Sequence, residues 1–212
     1  TVSTLQGEQG RQRKEIEKLL HWLRDEPRPD LVNIPYALLI SLARPLKRAL
    51  GNVPIVVTLQ GEDLFLDGLP DPLRQQALDL IRARTADVDL FVAISHYYAD
   101  YMRDYLGIPA AKMRVAPLGV DPPERLAPAP LDRNPFTIGY FARLAPEKGL
   151  HVLAEAYRLL RREKGLPPAR LLAAGYRGPD QQAYLDGVTR QLEAAGLAAE
   201  FEYRGAPDRA GK

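Results

Sequence analysis

The sequence predicts an α/β protein built on doubly wound parallel sheets, and three observations predict it. Strand-like and helix-like stretches alternate along the 212-residue chain, the order that parallel sheets joined by crossover helices require. Two strand-like stretches, PIVVTL at 54–59 and DLFVAI at 89–94, are apolar runs, as expected of strands buried on both faces of a parallel sheet. The helical stretches close on glycine: Gly51, Gly165 and Gly196 each follow a periodic segment, where a left-handed cap residue ends a helix at least cost.

Taken in order, residues 13–24 predict an amphipathic helix with Ile16, Leu19, Leu20 and Leu23 on one side. A short strand is expected at 31–34 and a helix over 36–50, interrupted at Pro45. The strand 54–59 runs into a polar loop, QGED at 60–63. Asp71 and Pro72 suit the cap and first residue of a helix reaching Arg84. The strand 89–94 is followed by Ser95 as a helix cap and a helix to Leu106, then a strand at 113–117. Residues 121–135 change character: PPERLAPAP is proline-rich and aperiodic, the mark of a semi-rigid linker. This divides the chain into a first domain at 1–120, a linker at 121–135 and a second domain at 136–212.

The second domain opens with a strand of β-formers, Phe136, Ile138, Tyr140 and Phe141, that stops at Arg143. Pro146 suits the first turn of a helix, and Leu150, Leu153, Ala156, Tyr157 and Leu160 mark one face of that helix as far as Lys164. A strand at 170–174 leads into a turn holding Gly175 and Gly178, followed by a helix over 180–195 and a strand at 199–203.

Composition narrows the chemistry. Hydrophobic content of 46% and charged content of 26% are ordinary for a globular protein. Absence of cysteine excludes disulfides, thiolate metal sites and a cysteine nucleophile. The three histidines, His21, His96 and His151, are far apart and fit no metal-ligand spacing, so no metal is expected. Net charge is +2, and neither half carries the basic footprint that nucleic acid demands. No apolar run is long enough to span a bilayer, and the N-terminal stretch lacks the apolar core of a signal peptide. A cytoplasmic protein is the expectation.

In open parallel sheets, ligands sit outside the carboxyl ends of the strands. Four loops therefore matter: 60–63, 94–96, 142–148, and 175–178 with 205–207. Arg143 falls on a strand-to-helix loop and Lys148 in the expected first helical turn. Two cations beside unpaired backbone N–H groups make a place for phosphate, although the same pair reads equally as solvated loop charges. Glu62 and Asp63 can be read as a paired acid and base or as turn formers. His96 has no nearby partner in sequence, and Ser95 lacks the nucleophile-elbow glycines.

Several segments, in order, resemble family-4 retaining glycosyltransferases of the GT-B type, which have two Rossmann-like domains. PIVVTLQGED is similar to the acceptor-domain strand that usually ends in His-Gly-x-Asp/Glu. FVAISHYYADYMRDYLGIPAAKMRVAPLGVDP resembles the segment leading out of the first domain. GYFARLAPEKGLHVLAEAYRLL resembles the donor-site G-R-L-x-x-E-K-G segment, and LLAAGYRGP the following G-x-G-P turn. The resemblance covers nearly everything from Asp30 to Pro207.

The resemblance implies transfer of a sugar from a nucleoside-diphosphate sugar to a carbohydrate, lipid or small-molecule acceptor. Arg143 and Lys148 match the pair that holds the donor diphosphate, as both binding and catalytic groups. Gly175, Gly178 and Gly205 match nucleotide-side turns, Gln60 and Asp63 lie on the acceptor or sugar side, and Asp121 is expected to fix the linker. Retention implies same-face attack within an ion pair, with no metal or other cofactor. A lipid acceptor would bring the 36–50 helix and its Arg44, Lys47 and Arg48 to a membrane surface; a solvated helix end explains those cations equally well.

The sequence departs from the family in two places. Gln60 stands where many members have histidine, and Ala142 replaces a common glycine. The family's N-terminal strand with its glycine-rich loop, expected before Thr1, and its E-x7-E segment, expected after Lys212, are not matched. Both domains are thus expected to be incomplete, and the chain to be an internal fragment inactive alone. A GT-B nucleotide-sugar epimerase is an alternative that would want more histidines and carboxylates. The other is a non-catalytic two-domain sugar- or nucleotide-binding protein, against which the Arg143/Lys148 placement argues.

Overall fold

The computed structural model describes residues 1–119 and 134–208. The chain divides into two compact units, Thr1–Pro122 and Pro123–Lys212, and each has its own parallel sheet. The expected linker and Asp121 lie outside the described residues, apart from Asn134 and Pro135.

In the first unit the strands are β1 Val32–Ile34, β2 Ile55–Thr58, β3 Leu90–Ala93 and β4 Met113–Val115, ordered β1-β2-β3-β4. Val57 pairs with Ile34 and with Phe91, and Ala93 with Val115. The strand order steps one way, as in one half of a doubly wound arrangement, and right-handed crossovers then place helices on one face. That explains a departure from the sequence reading: Ile55 and Val57 are fully buried while Val56 and Thr58 are only half-buried. Thr58 instead uses its hydroxyl to donate to Asn33 Oδ1 at 2.8 Å.

The helices of this unit are α1 Val2–Leu5, α2 Arg13–Asp25, α3 Ala43–Leu50, α4 Glu62–Asp67, α5 Asp71–Arg82 and α6 His96–Leu106. On α2, Ile16 is buried and Leu20 and Leu23 pack against the core, as the periodicity predicts. Residues 36–50 do not form the single interrupted helix expected. A 3₁₀ stretch, Ala37–Leu42, passes into α3 before Pro45 is reached. Pro45 then sits in the first turn of α3, where its missing N–H removes no helical bond. Gly51 closes α3 in the left-handed conformation, φ 69°. Asp71 is the first residue of α5 and its side chain caps nothing; Pro70 holds the cap position and the helix ends at Arg82. Helix α4 and the short α1 were not expected. Ser95 caps α6 as predicted, its hydroxyl accepting from Tyr98 N–H at 3.1 Å.

In the second unit, β5 Phe136–Phe141, β6 Ala169–Ala174 and β7 Phe201–Tyr203 are parallel in that order, with α7 Leu150–Leu160 and α8 Gln182–Ala194. Three expectations fail here. Lys148 belongs to a separate 3₁₀ turn, Pro146–Lys148, and Gly149 at φ 75° intervenes before α7 starts. Helix α7 ends at Leu160, short of Lys164. Its buried face is Leu150, Ala154 and Tyr157, while Ala156 and Leu160 are exposed. Starting the helix at Leu150 fixes that phase, since the i, i+4, i+7 positions then face the sheet. The two units have separate cores, one around Ile55, Phe91 and Leu66, the other around Leu171, Tyr157 and Leu192.

Candidate functional site

The carboxyl ends of β5, β6 and β7 carry the loops expected to hold a ligand, and backbone hydrogen bonds lace them together. Ala142 N–H donates to Ala174 O at 3.2 Å and Leu144 N–H to Tyr176 O at 2.8 Å. Gly175 N–H donates to Gly205 O at 2.8 Å, and the Tyr203 hydroxyl donates to Gly175 O at 2.7 Å. Leu144 and Ala145 are buried and anchor the first loop below. Gly175 is required by this lacing: at φ 144°, a Cβ there would lie 1.8 Å from Ala142 O. Its freedom thus serves contact with the neighbouring loop. Gly205, at φ 72°, has nothing within 4 Å of an added Cβ and can meet a ligand.

Arg143 is held between two of these fixed bonds, so its Cα is set even though half of its side chain is in solvent. The Tyr140 hydroxyl donates to its carbonyl at 3.3 Å. Its guanidinium donates to Glu147 Oε1 at 2.5 Å, an exposed pair across one turn. The Lys148 side chain is exposed and makes no hydrogen bond or ion pair among the described residues. The structure therefore brings Arg143, Gly175 and Gly205 together through backbone bonds. Gly178 stands apart as the extended residue before the 3₁₀ turn Pro179–Gln181.

The amino end of α7 has a partner that no sequence pattern announces. Tyr184, from α8, accepts from His151 N–H at 3.1 Å, and its oxygen lies 2.9 Å from His151 Nδ1. One of the helix's first N–H groups is thereby occupied. His151 and Tyr184 are 33 residues apart, so local spacing carries no trace of the pair.

In the first unit the 60–63 segment forms a knot. Glu62 is buried; its Oε1 accepts from Ala37 N–H at 2.9 Å and its Oε2 from Gln60 N–H at 2.7 Å. The Tyr98 hydroxyl donates to Asp63 Oδ1 at 2.6 Å and accepts from Gly61 N–H at 2.8 Å. Burial first, then the Asp63 hydrogen bond and the charges of Glu62 and Asp63, hold the Tyr98 phenol well above its ordinary pKa. The acid–base reading of Glu62 and Asp63 is not supported: Glu62 fastens the exits of β1 and β2, and Asp63 ties α4 to α6. The Gln60 side chain is exposed, and so is His96.

The three cations of α3 are each neutralised: Arg44 by Asp87 at 3.1 Å, Lys47 by Asp89 at 2.8 Å and Arg48 by Glu8 at 2.5 Å. No helix among the described residues is long and apolar enough to cross a membrane. Among them also, no group of three or more His, Asp or Glu side chains is arranged to hold a metal ion. A polar cavity of about 230 Å³ lies at Gly7, Ser41, Arg44 and Asp87, and an apolar one of about 250 Å³ at Phe136, Leu160 and Leu166. Neither includes a predicted site residue.

The family described as Glycosyltransferase Family 4 matches residues 5–124. No curated protein sequence matches the chain. Among solved structures, HepE of Anabaena in complex with UDP is similar with a TM-score of 0.68 at 20% identity, over 95% of this chain and 54% of its own. The apo form of WaaB, a lipopolysaccharide outer core galactosyltransferase, gives a TM-score of 0.65 at 18% identity, over 94% and 50%. Sucrose-phosphate synthase from Thermosynechococcus elongatus gives 0.64 at 15%, over 93% and 51%. These are likenesses of fold, and the chain spans about half the length of the structures it matches.

Proposed function

The chain belongs to glycosyltransferase family 4, with the parallel-sheet α/β units of the GT-B type, and on that premise we propose that it serves the retaining transfer of a sugar from a nucleoside-diphosphate donor to a hydroxyl acceptor. Arg143 and Lys148 take the diphosphate, and Gly205 lets backbone approach the nucleotide. A cytoplasmic setting, and a reaction that needs no metal, are parts of the same reading. The observation that supports it is the lacing of three strand exits, which fixes the backbone of Arg143 beside Gly175 and Gly205 at the carboxyl end of the second sheet, the end where open parallel sheets generally take ligands. HepE, similar in fold, was solved with UDP.

The chemistry follows from where charge moves. The bond from the anomeric carbon to the β-phosphate oxygen breaks, and its electron pair goes to the diphosphate. The acceptor oxygen bonds to the anomeric carbon on the same face, and its proton passes to that leaving oxygen. A fixed guanidinium and an ammonium stabilise the growing negative charge. Arg143 begins paired with Glu147, so binding exchanges one carboxylate for a doubly anionic partner.

Calorimetric titration of UDP, GDP and ADP tests this. Arg143→Ala and Lys148→Ala each weaken the preferred diphosphate by about tenfold or more, the scale of a lost charge-assisted contact. Unchanged affinity in both variants would remove the assignment.

A further inference from the structure

Helix α6 carries a row of stacked tyrosines that the reading above does not use. Tyr97, Tyr101 and Tyr105 recur every four residues and so share one face. Tyr97 and Tyr101 lie 6.5 Å apart, centroid to centroid, with ring planes 4° apart; Tyr101 and Tyr105 lie 5.5 Å apart at 18°. Tyr98 joins the row against Tyr101 at 6.4 Å. The row is anchored from α4, because Tyr98 donates to Asp63 and Tyr105 donates to Asp67 at 2.7 Å. Tyr97 ends the stack and is 80% exposed, so most of its side chain is open to solvent. It lies in the first turn of α6, at the carboxyl end of β3, where parallel sheets receive ligands.

An exposed aromatic ring stacked on a neighbour offers an apolar face to a ligand. The charge around it selects the occupant. Asp63 and Asp67 border the row from α4, with Arg74 3.8 Å from Asp67, and Asp100 and Asp104 are exposed on α6 itself, where Arg103 is paired with both, so these carboxylates outnumber the guanidiniums beside them. Carboxylates repel phosphate and anionic lipid headgroups but accept hydrogen bonds from hydroxyls. A pyranose offers both complements: a face of C–H groups for the ring and a rim of hydroxyls for the carboxylates.

We propose that Tyr97, backed by Tyr101, is the stacking platform for an uncharged sugar ring of the acceptor. This rests on the glycosyltransferase reading and narrows its acceptor to a neutral carbohydrate.

Saturation-transfer NMR on the full chain, irradiating aromatic ring protons, tests it with cellotetraose, lactose and glucose 6-phosphate as probes. Transfer to the axial ring protons of at least one neutral sugar is expected. Tyr97→Ala reduces that affinity by roughly tenfold, Tyr97→Trp retains it and Tyr101→Ala weakens it, with helix content unchanged by circular dichroism. A neutral-sugar signal that is absent, or that survives Tyr97→Ala undiminished, overturns the platform. A Tyr97-dependent signal of equal size from glucose 6-phosphate overturns the restriction to uncharged acceptors. UDP affinity, read on the same samples, separates the two readings: wild-type protein that binds sugar through Tyr97 but never binds UDP sinks the donor assignment alone.

Discussion

At the scale of single residues, two positions decide whether the strand exits keep their shape. Glu62 is a buried carboxylate whose two oxygens each accept a different backbone N–H, from Ala37 and from Gln60. Glu62→Gln keeps one acceptor and turns an amide N–H₂ against the other donor. It is expected to cost about 1–3 kcal/mol, the penalty for a buried polar group left unpaired. Urea denaturation checks this, and Glu62→Ala, which strands both donors, should cost more. Gly175 offers a paired comparison with Gly178. A Cβ at Gly175 meets Ala142 O at 1.8 Å, whereas at Gly178 the nearest neighbour is 3.9 Å away. Gly175→Ala is expected to destabilise the protein by at least ~1–3 kcal/mol and to weaken UDP by moving the Arg143 loop. Gly178→Ala should fall within ~0.5 kcal/mol of wild type. Equal effects from the two alanines would show that close loop contact is not what Gly175 is for.

At the scale of elements, helices α7 and α8 are joined by a clip that acid should open. Glu155 on α7 accepts from Arg158 Nε at 2.8 Å and from Gln191 Nε2 of α8 at 2.8 Å. The Arg158 hydrogen bond, only partly offset by burial and helped by Gln191, holds this carboxyl down at about 2 against an ordinary 4.5. A depressed carboxylate stabilises the fold above its unfolded pKa, and the contribution fades as pH falls. The clip is therefore intact above pH 4.5 and lost on the way down to about 2. An acid titration followed by amide exchange in α8 should show Glu155→Gln less sensitive than wild type across that window; an identical acid limb would leave the clip without a role.

The same elements show what was legible in the chain. Alternation of strands and helices, the Ser95 cap and the Gly51 cap are local signals, and each was readable from side-chain type and spacing. Helix α4 was hidden because the loop-forming pair Gln60 and Gly61 masks a six-residue helix whose buried contacts come from Ala37 and Tyr98. The sequence points to too early a start for α7 because Pro146 suits a first turn, while the left-handed Gly149 breaks that turn from the helix. Of the candidate site, Arg143 and its glycines were legible as types on loops. The bonds that lace those loops, and the Tyr184–His151 contact, join residues distant in sequence and leave no periodic trace.

At the scale of the molecule, the described residues form two cores that share no residue. One gathers Leu5, Ile34, Ile55, Val57, Leu66 and Phe91; the other gathers Tyr140, Leu144, Leu150, Tyr157, Leu171 and Leu192. Each sheet closes its hydrogen bonds within its own unit, so damage to one core should stay in that unit. Leu171 is fully buried in the central strand of the second sheet. Leu171→Ala is expected to remove about 2–5 kcal/mol from that unit, through lost transfer energy and the cavity left behind. Native-state hydrogen exchange should then show protection falling across β5, β6, β7, α7 and α8, while β2 and β3 keep their wild-type rates. Because Arg143 and Lys148 belong to the weakened unit and Tyr97 to the other, the same variant should lose UDP binding while retaining the Tyr97-dependent sugar signal. Loss of protection in β2 and β3 to the same degree would mean that the two cores unfold as one, and the donor and acceptor functions could not then be assigned to separately stable halves.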